Sequence, residues 1–246
     1  MSELVIPGRF NGPAGSGNGG YASGLFAAAA GHSGFPRSVV TLRLPPPLDT
    51  PLTVERGAEE ARVLHGEDVI ATVTPGADPI PAVPPVPVET AEACHARYQG
   101  HSYHPFPMCF VCGLGRPAHD GLALTPGPLP GRPREVACTW LPDASLAGPD
   151  GALDPVFVWA ALDCPSGWTD DLAARPRVLG RMSAQVHSLP AIGERHVITA
   201  SSGEPEGRKI FSRSSLYTED GTLLAVASAT WITVPHGDSP AGRPAD

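Results

Sequence analysis

Asp163 is the one charged side chain in an otherwise apolar segment, following Pro155-Val-Phe-Val-Trp-Ala-Ala-Leu162. A carboxylate in such a setting must be solvated, paired, protonated or put to use, because burying it alone is costly. Near a carbonyl carbon its use would be as general base toward water, or as a direct nucleophile. The simpler alternative is a structural carboxylate bonded to the backbone or to an arginine such as Arg181. Asp154-Pro155 reads as a helix start, since the Asp side chain accepts first-turn N–H groups and proline suits the first helical position. Nothing from Val156 to Leu162 suits water, so this helix is expected to be enclosed. Cys164-Pro165 is expected to stop it, because a residue before proline is disfavoured in the α region.

A second stretch with chemical potential is the glycine-rich loop Asn11–Gly20, which runs directly into Tyr21-Ala-Ser-Gly-Leu-Phe-Ala-Ala-Ala-Ala30 with Gly31 as its stop. Glycines ahead of a helix let an acyl oxygen or a phosphate approach the bare N–H groups at its positive end. They serve equally as a tight turn that lets the helix pack closely. Cys109-x-x-Cys112 has the spacing of a zinc half-site, with Cys94, His101 and His104 upstream. A second cysteine pair is missing and no βαβ pattern surrounds the first, so neither a metal nor a redox pair is expected.

These residues need a scaffold. Strand-like alternation marks Ser38–Leu44, Leu52–Glu55, Ala61–His65 and Val69–Thr74, the last two joined by Gly66-Glu-Asp68. Six prolines between 75 and 88 read as an extended connector. Beyond it come strand-like runs at Glu135–Trp140, Val178–Ser188 and Arg195–Ala200, and a hairpin Lys209–Tyr217/Leu223–Val234 turned at Thr218–Gly221. The second half thus repeats the order of the first: a buried helix, then an antiparallel meander. This divides the chain into a repeat at 1–76, a Pro-rich linker at 77–104, a repeat at 105–234 and a disordered tail at 235–246.

Composition narrows the partners. The 246 residues are 41% hydrophobic and 17% charged, which suits a folded chain with a sizeable core. A net charge of −8 argues against nucleic acid and anionic membranes. No run approaches the ~20 apolar residues that span a bilayer, and the N-terminus does not read as a signal peptide. Five cysteines at long, uneven spacings suit reduced thiols and a cytoplasmic setting.

Two buried helices, each followed by an antiparallel meander, resemble the double hotdog acyl-CoA thioesterases. The resemblance covers most of residues 5–234. Asn18-Gly-Gly-Tyr-Ala-Ser-Gly-Leu25 is similar to the glycine-pair helix start of these enzymes. Cys109-Phe-Val-Cys-Gly113 with Gly121-Leu-Ala-Leu124 is similar to a segment of single hotdog thioesterases of the PaaI-like group. The implied fold is α+β: a double hotdog of two repeats, each a long buried helix wrapped by a curled antiparallel sheet. A chain that carries both units is expected to be a monomer or a homodimer.

The resemblance also implies a shared site. One unit supplies the glycine-led helix end, and the other a carboxylate about two turns into its own helix and a hydroxyl on the next strand. Here the first half has Gly19-Gly20 but only Ala27 and Ala28 where the acid would lie, whereas the second has Asp163 and Ser183 but Leu153-Asp-Pro155 in place of the glycine pair. One complete site is therefore expected, with the Gly19 and Gly20 N–H groups holding the oxyanion, Asp163 as base or nucleophile, and Ser183, Gln185 or Thr230 orienting water. Asn11, Asn18 and Tyr21 are expected at the substrate, and Arg181 and Arg208-Lys209 at the phosphates of coenzyme A. The expected reaction is hydrolysis of an acyl thioester carried on coenzyme A or acyl carrier protein, without a cofactor. A protein that binds acyl-CoA without hydrolysing it is the main alternative. A hotdog hydratase ranks lower, because no Asp-x4-His follows Asp163.

Overall fold

The computed structural model describes residues 2–31, 37–172 and 174–234; the expected tail at 235–246 lies outside them. In chain order the elements are β1 (Ser2–Leu4), α1 (Gly19–Ala30), β2 (Ser38–Leu42), β3 (Leu52–Arg56), β4 (Ala61–His65), β5 (Asp68–Pro75), α2 (Val88–Cys94), β6 (Gly127–Pro128), β7 (Glu135–Trp140), α3 (Pro155–Gly167), β8 (Arg177–Val186), β9 (His196–Ser202), β10 (Lys209–Thr218) and β11 (Leu223–Thr233). No helix among the described residues is long and apolar enough to cross a membrane.

Among the described residues, eleven strands join one antiparallel sheet in the order β1-β3-β4-β5-β2-β8-β11-β10-β9-β7-β6. Its middle is the β2–β8 pair, in register from Ser38 opposite Ala184 to Thr41 opposite Arg181. Outward from that pair lie β5, β4, β3 and β1 on one side and β11, β10, β9 and β7 on the other, so the strand that follows each long helix is the one nearest the centre. The two helices pack on each other and on one face of the sheet, and a single apolar core containing Phe26, Val40, Phe157, Leu162 and Met182 runs through both halves.

Close approach of the helices rests on glycine. A Cβ at Gly24 would lie 3.0 Å from Trp159 Cβ, and one at Gly20 would lie 2.7 Å from the Trp159 carbonyl oxygen and overlap the Asp163 side chain. The small-residue face of α1 is thus the surface onto which the Trp159–Asp163 turn of α3 is laid. Asn18 caps α1 by accepting from the Tyr21 N–H at 2.8 Å, and Gly31 closes it at φ 67°. Asp154 caps α3 through the Val156 N–H at 3.0 Å.

The expected stop at Cys164-Pro165 is corrected. The helix α3 continues through Pro165 to Gly167, capped by the Trp168 N–H donating to Cys164 O at 3.1 Å. Proline removes only one hydrogen bond here, in the final turn, while the Ser166 hydroxyl satisfies Asp163 O at 2.8 Å. Within the Pro-rich segment 77–104, α2 interrupts the extended chain; its Val88, Ala91 and Cys94 form a smaller core with Ala137, Val197 and Tyr217. Val83 ties this segment to the sheet, donating to Ser215 Oγ at 2.9 Å and accepting from Thr199 Oγ1 at 3.2 Å.

Candidate active site

Asp163 projects from α3 onto the N-terminus of α1. Its Oδ2 accepts from the Gly20 N–H and from Asn18 Nδ2, both at 3.0 Å, while its Oδ1 is buried without a partner among the described residues. Of the first-turn donors of α1, Gly20 is engaged by Asp163, Tyr21 by the Asn18 side chain and Ala22 by the Asn18 carbonyl. Gly19 has no protein acceptor among the described residues, and it lines a cavity of about 390 Å³ together with Asn18, Cys109, Asp163 and Cys164. Arg43 and Arg208 also line that cavity.

Burial governs the electrostatics. Asp163 is 1% exposed, and desolvation raises its pKa to about 7 against the opposing hydrogen bonds from Gly20 and Asn18. A carboxyl group so placed exchanges a proton near neutrality and has a free oxygen to exchange it with. Behind it, Trp231 Nε1 donates to Ser166 Oγ at 2.9 Å, so β11 fixes the turn of α3 that holds the acid. Arg177, 1% exposed, lines the same cavity and is paired with Asp170 at 2.6 Å.

Beside Asp163 the thiols of Cys109, Cys112 and Cys164 lie within 4.8 Å of one another. Hydrogen bonds from the other two thiols hold Cys109 well below the ordinary thiol range, and Cys112 and Cys164 are pushed well above it.

The sequence matches no protein-family model and no curated protein. Solved structures do match over nearly the whole chain. Acyl-CoA thioesterase II TesB2 of Mycobacterium marinum superposes with a TM-score of 0.57 at 16% identity, over 96% of this chain and 93% of its own. The tesB protein of Mycobacterium avium subspecies paratuberculosis gives 0.57 at 12% identity, over 91% and 89%. A protein with a hot dog fold from Alicyclobacillus acidocaldarius gives 0.54 at 12% identity, over 95% and 92%. This chain has a hotdog fold.

Within the hotdog, the residues singled out by sequence separate into two groups. Asn18, Gly19, Gly20 and Asp163 come together, and Arg208 reaches the same cavity. Ser183, Arg181 and Thr230 do not. They line a second cavity of about 950 Å³ with Val39 and Gly76. The reason is strand alternation: Met182 on β8 points into the core, which sends Ser183 to the opposite face, and Arg181, Gln185 and Thr230 share that parity. Arg181 there donates to Thr41 Oγ1 at 3.0 Å.

Asn11 and Tyr21 are occupied structurally. Asn11 Oδ1 accepts from Arg116 at 2.7 Å and its carbonyl accepts from the Phe110 N–H at 2.8 Å. Tyr21 stacks on Phe10 with ring centroids 4.0 Å apart, and burial, then the Asp154 charge, push its phenol up to about 12. Of the upstream residues grouped with Cys109 and Cys112, Cys94 sits in the smaller core facing Pro128 O, while Cys164 takes the third place in the thiol cluster. By residue type Cys164 reads as one more apolar helix residue, and its only signal in the sequence is its position next to Asp163.

Proposed function

We propose that this chain hydrolyses acyl thioesters at one site formed between two hotdog repeats, each a buried helix wrapped by a curled sheet. What supports this most directly is Asp163, held by Gly20 and Asn18 from the first repeat through Oδ2 while Oδ1 stays free beside a cavity. The matching strand order on either side of β2–β8 and the solved thioesterases of similar fold support the same reading.

In the proposed reaction the thioester oxygen lies at the Gly19 N–H, at the positive end of α1. Asp163 Oδ1 takes a proton from a water as its oxygen bonds to the carbonyl carbon. Collapse of the tetrahedral intermediate breaks the carbon–sulfur bond, and the proton on Asp163 passes to the departing thiolate, giving a carboxylic acid and a thiol. Gly20 has a different role from Gly19, since its N–H orients the base. Arg43 and Arg208, in the cavity wall, suit the phosphates of a coenzyme A carrier. Ser183, Gln185 and Thr230 orient no water in this mechanism and Arg181 binds no phosphate, because all four share the sheet face opposite the core.

Because Asp163 engages the Gly20 N–H, one helix-end donor fewer is left for the oxyanion. That observation favours a second reading, a protein that binds acyl thioesters without cleaving them. Thiol release from a panel of acyl-CoA and acyl carrier protein thioesters decides between the two. Turnover that vanishes in Asp163→Asn supports hydrolysis, and tight binding without turnover in the unaltered protein supports the second reading.

A further inference from the structure

We propose that Cys109, Cys112 and Cys164 form a binding site for a soft divalent metal ion of the zinc type, with its fourth coordination position open toward the cavity. The three sulfurs come from two unrelated parts of the chain, a loop and the last turns of α3, and meet within 4.8 Å. Cys109 Sγ and Cys164 Sγ are 3.7 Å apart. Two thiolates on one tetrahedral zinc, each with a metal–sulfur bond of about 2.3 Å, stand about 3.8 Å apart, so the Cys109–Cys164 pair needs almost no adjustment, and the separations to Cys112, within 4.8 Å, need to close by no more than about 1 Å.

The loop is held in advance of any metal. The Phe110 N–H donates to Asn11 O at 2.8 Å, the Gly113 N–H to Cys109 O at 2.9 Å, the Leu124 N–H to Val111 O at 2.9 Å, and Tyr98 OH to Cys112 O at 3.0 Å. The cysteines are 3%, 2% and 6% exposed, so the sulfurs are kept from bulk solvent while still lining the cavity. Three sulfurs and no oxygen in the donor set select a thiophilic ion over magnesium or calcium.

Three thiolates on a divalent ion leave one negative charge, and the Asn18 side-chain amide faces two of the three sulfurs. Asn18 Nδ2 lies 3.9 Å from Cys109 Sγ and 3.8 Å from Cys164 Sγ, within reach of N–H to sulfur hydrogen bonds. Outer donors of this kind orient metal-bound sulfur and tune its charge. A bound ion would clamp the loop 109–113 to α3 one residue beyond Asp163. It would also leave Cys94 and Cys138 uninvolved, since both are buried elsewhere, Cys94 in the smaller core and Cys138 on β7.

The test uses the full-length chain purified under reducing conditions and reads metal binding without reference to hydrolysis. Elemental analysis after dialysis is expected to give roughly one zinc per chain, and replacement by Co(II) to give sulfur-to-cobalt charge transfer with the visible bands of a tetrahedral ion. Cys164→Ser and Cys109→Ser are expected to weaken zinc binding on the order of 10²-fold or more by chelator competition, while Cys94→Ser leaves it unchanged. Circular dichroism separates lost binding from lost folding, and the cobalt spectrum of the unaltered protein stands whatever the variants do. A folded, reduced, unaltered protein that shows neither zinc nor cobalt charge transfer would overturn the site. So would a charge-transfer band that persists in Cys164→Ser, or one that is lost in Cys94→Ser.

Discussion

The Gly20 N–H donates to Asp163 Oδ2 at 3.0 Å across 143 positions of sequence, joining the positive end of α1 to the only carboxylate inside α3. Neither partner is free to be something else. A side chain at Gly20 would occupy the space of Asp163, and Asp163 is buried too deeply to remain charged without donors.

Replacing Asp163 by Asn keeps an acceptor for the Gly20 N–H and removes the base. Thioester hydrolysis is expected to fall by about 10²- to 10⁴-fold. The melting temperature is expected to hold or rise, because a desolvated ionisable group has been removed. Steady-state kinetics on the best substrate, with a thermal melt of the same sample, checks both. A variant with full turnover would sink Asp163 as the base.

Gly20→Ala tests the contact from the other side. The added methyl meets Trp159 O and the Asp163 side chain, atoms of a packed helix rather than the end of a flexible chain. A loss of about 1–3 kcal/mol is expected, which for a chain of this length corresponds to roughly 2–4 °C per kcal/mol. Gly66→Ala is no substitute control, since Gly66 sits at φ +60° and carries backbone strain of its own.

Asn18 both caps α1 and donates to Asp163. Asn18→Ala is expected to cost about 1 kcal/mol for the cap and to lower hydrolysis as well, because Oδ2 loses one of its two donors. Asn18→Asp would preserve an ordinary cap, yet here it sets a second carboxyl against Asp163 in a buried site, and chemical denaturation is expected to show it less stable than Asn18→Ala.

Ser183→Ala is expected to leave turnover within about twofold, because the hydroxyl lies across the sheet from Asp163. A loss as large as that of Asp163→Asn would mean that the second cavity takes part in the chemistry.

Asp170 gathers Arg177 at 2.6 Å, Arg175 at 3.2 Å and Arg134 at 3.5 Å. Burial pushes its carboxyl up, but the Asp171 N–H and the Arg177 charge outweigh this and bring it below the ordinary aspartate value. A lowered folded pKa means that the stabilisation is complete above the ordinary value of about 4 and is lost as pH falls through the folded value. Asp170→Asn strands Arg177, at 1% exposure, as a buried cation, for an expected cost of about 3–5 kcal/mol near neutrality. Urea melts at pH 7 and at about pH 2.5 are expected to show the two proteins converging in acid. A constant difference across that range would refute the assignment.

Much of this site was legible from residue types. Asp154-Pro155 and Gly31 mark helix ends because capping is local chemistry, decided within one turn by which groups can donate or accept. The strands were legible as well, since alternation reflects one buried face. Which face a residue such as Ser183 would take was not, because it depends on the registry of β8 against β2 and β11, and a shift of one residue exchanges the two faces. The continuation of α3 through Pro165 was likewise hidden, because the last turns are held by tertiary bonds, from the Ser214 hydroxyl to Leu162 O at 2.7 Å and from Trp231 Nε1 to Ser166 Oγ at 2.9 Å.

By itself the sequence determined that an acid stands inside an apolar helix and that a glycine-led helix begins elsewhere, since both facts follow from composition and spacing along one chain. Only the tertiary structure decided that Gly20, and not Gly19, spends its N–H on that acid. It alone brought Cys164 to Cys109 and Cys112, because contacts between distant segments are set by how two helices pack and not by any local preference.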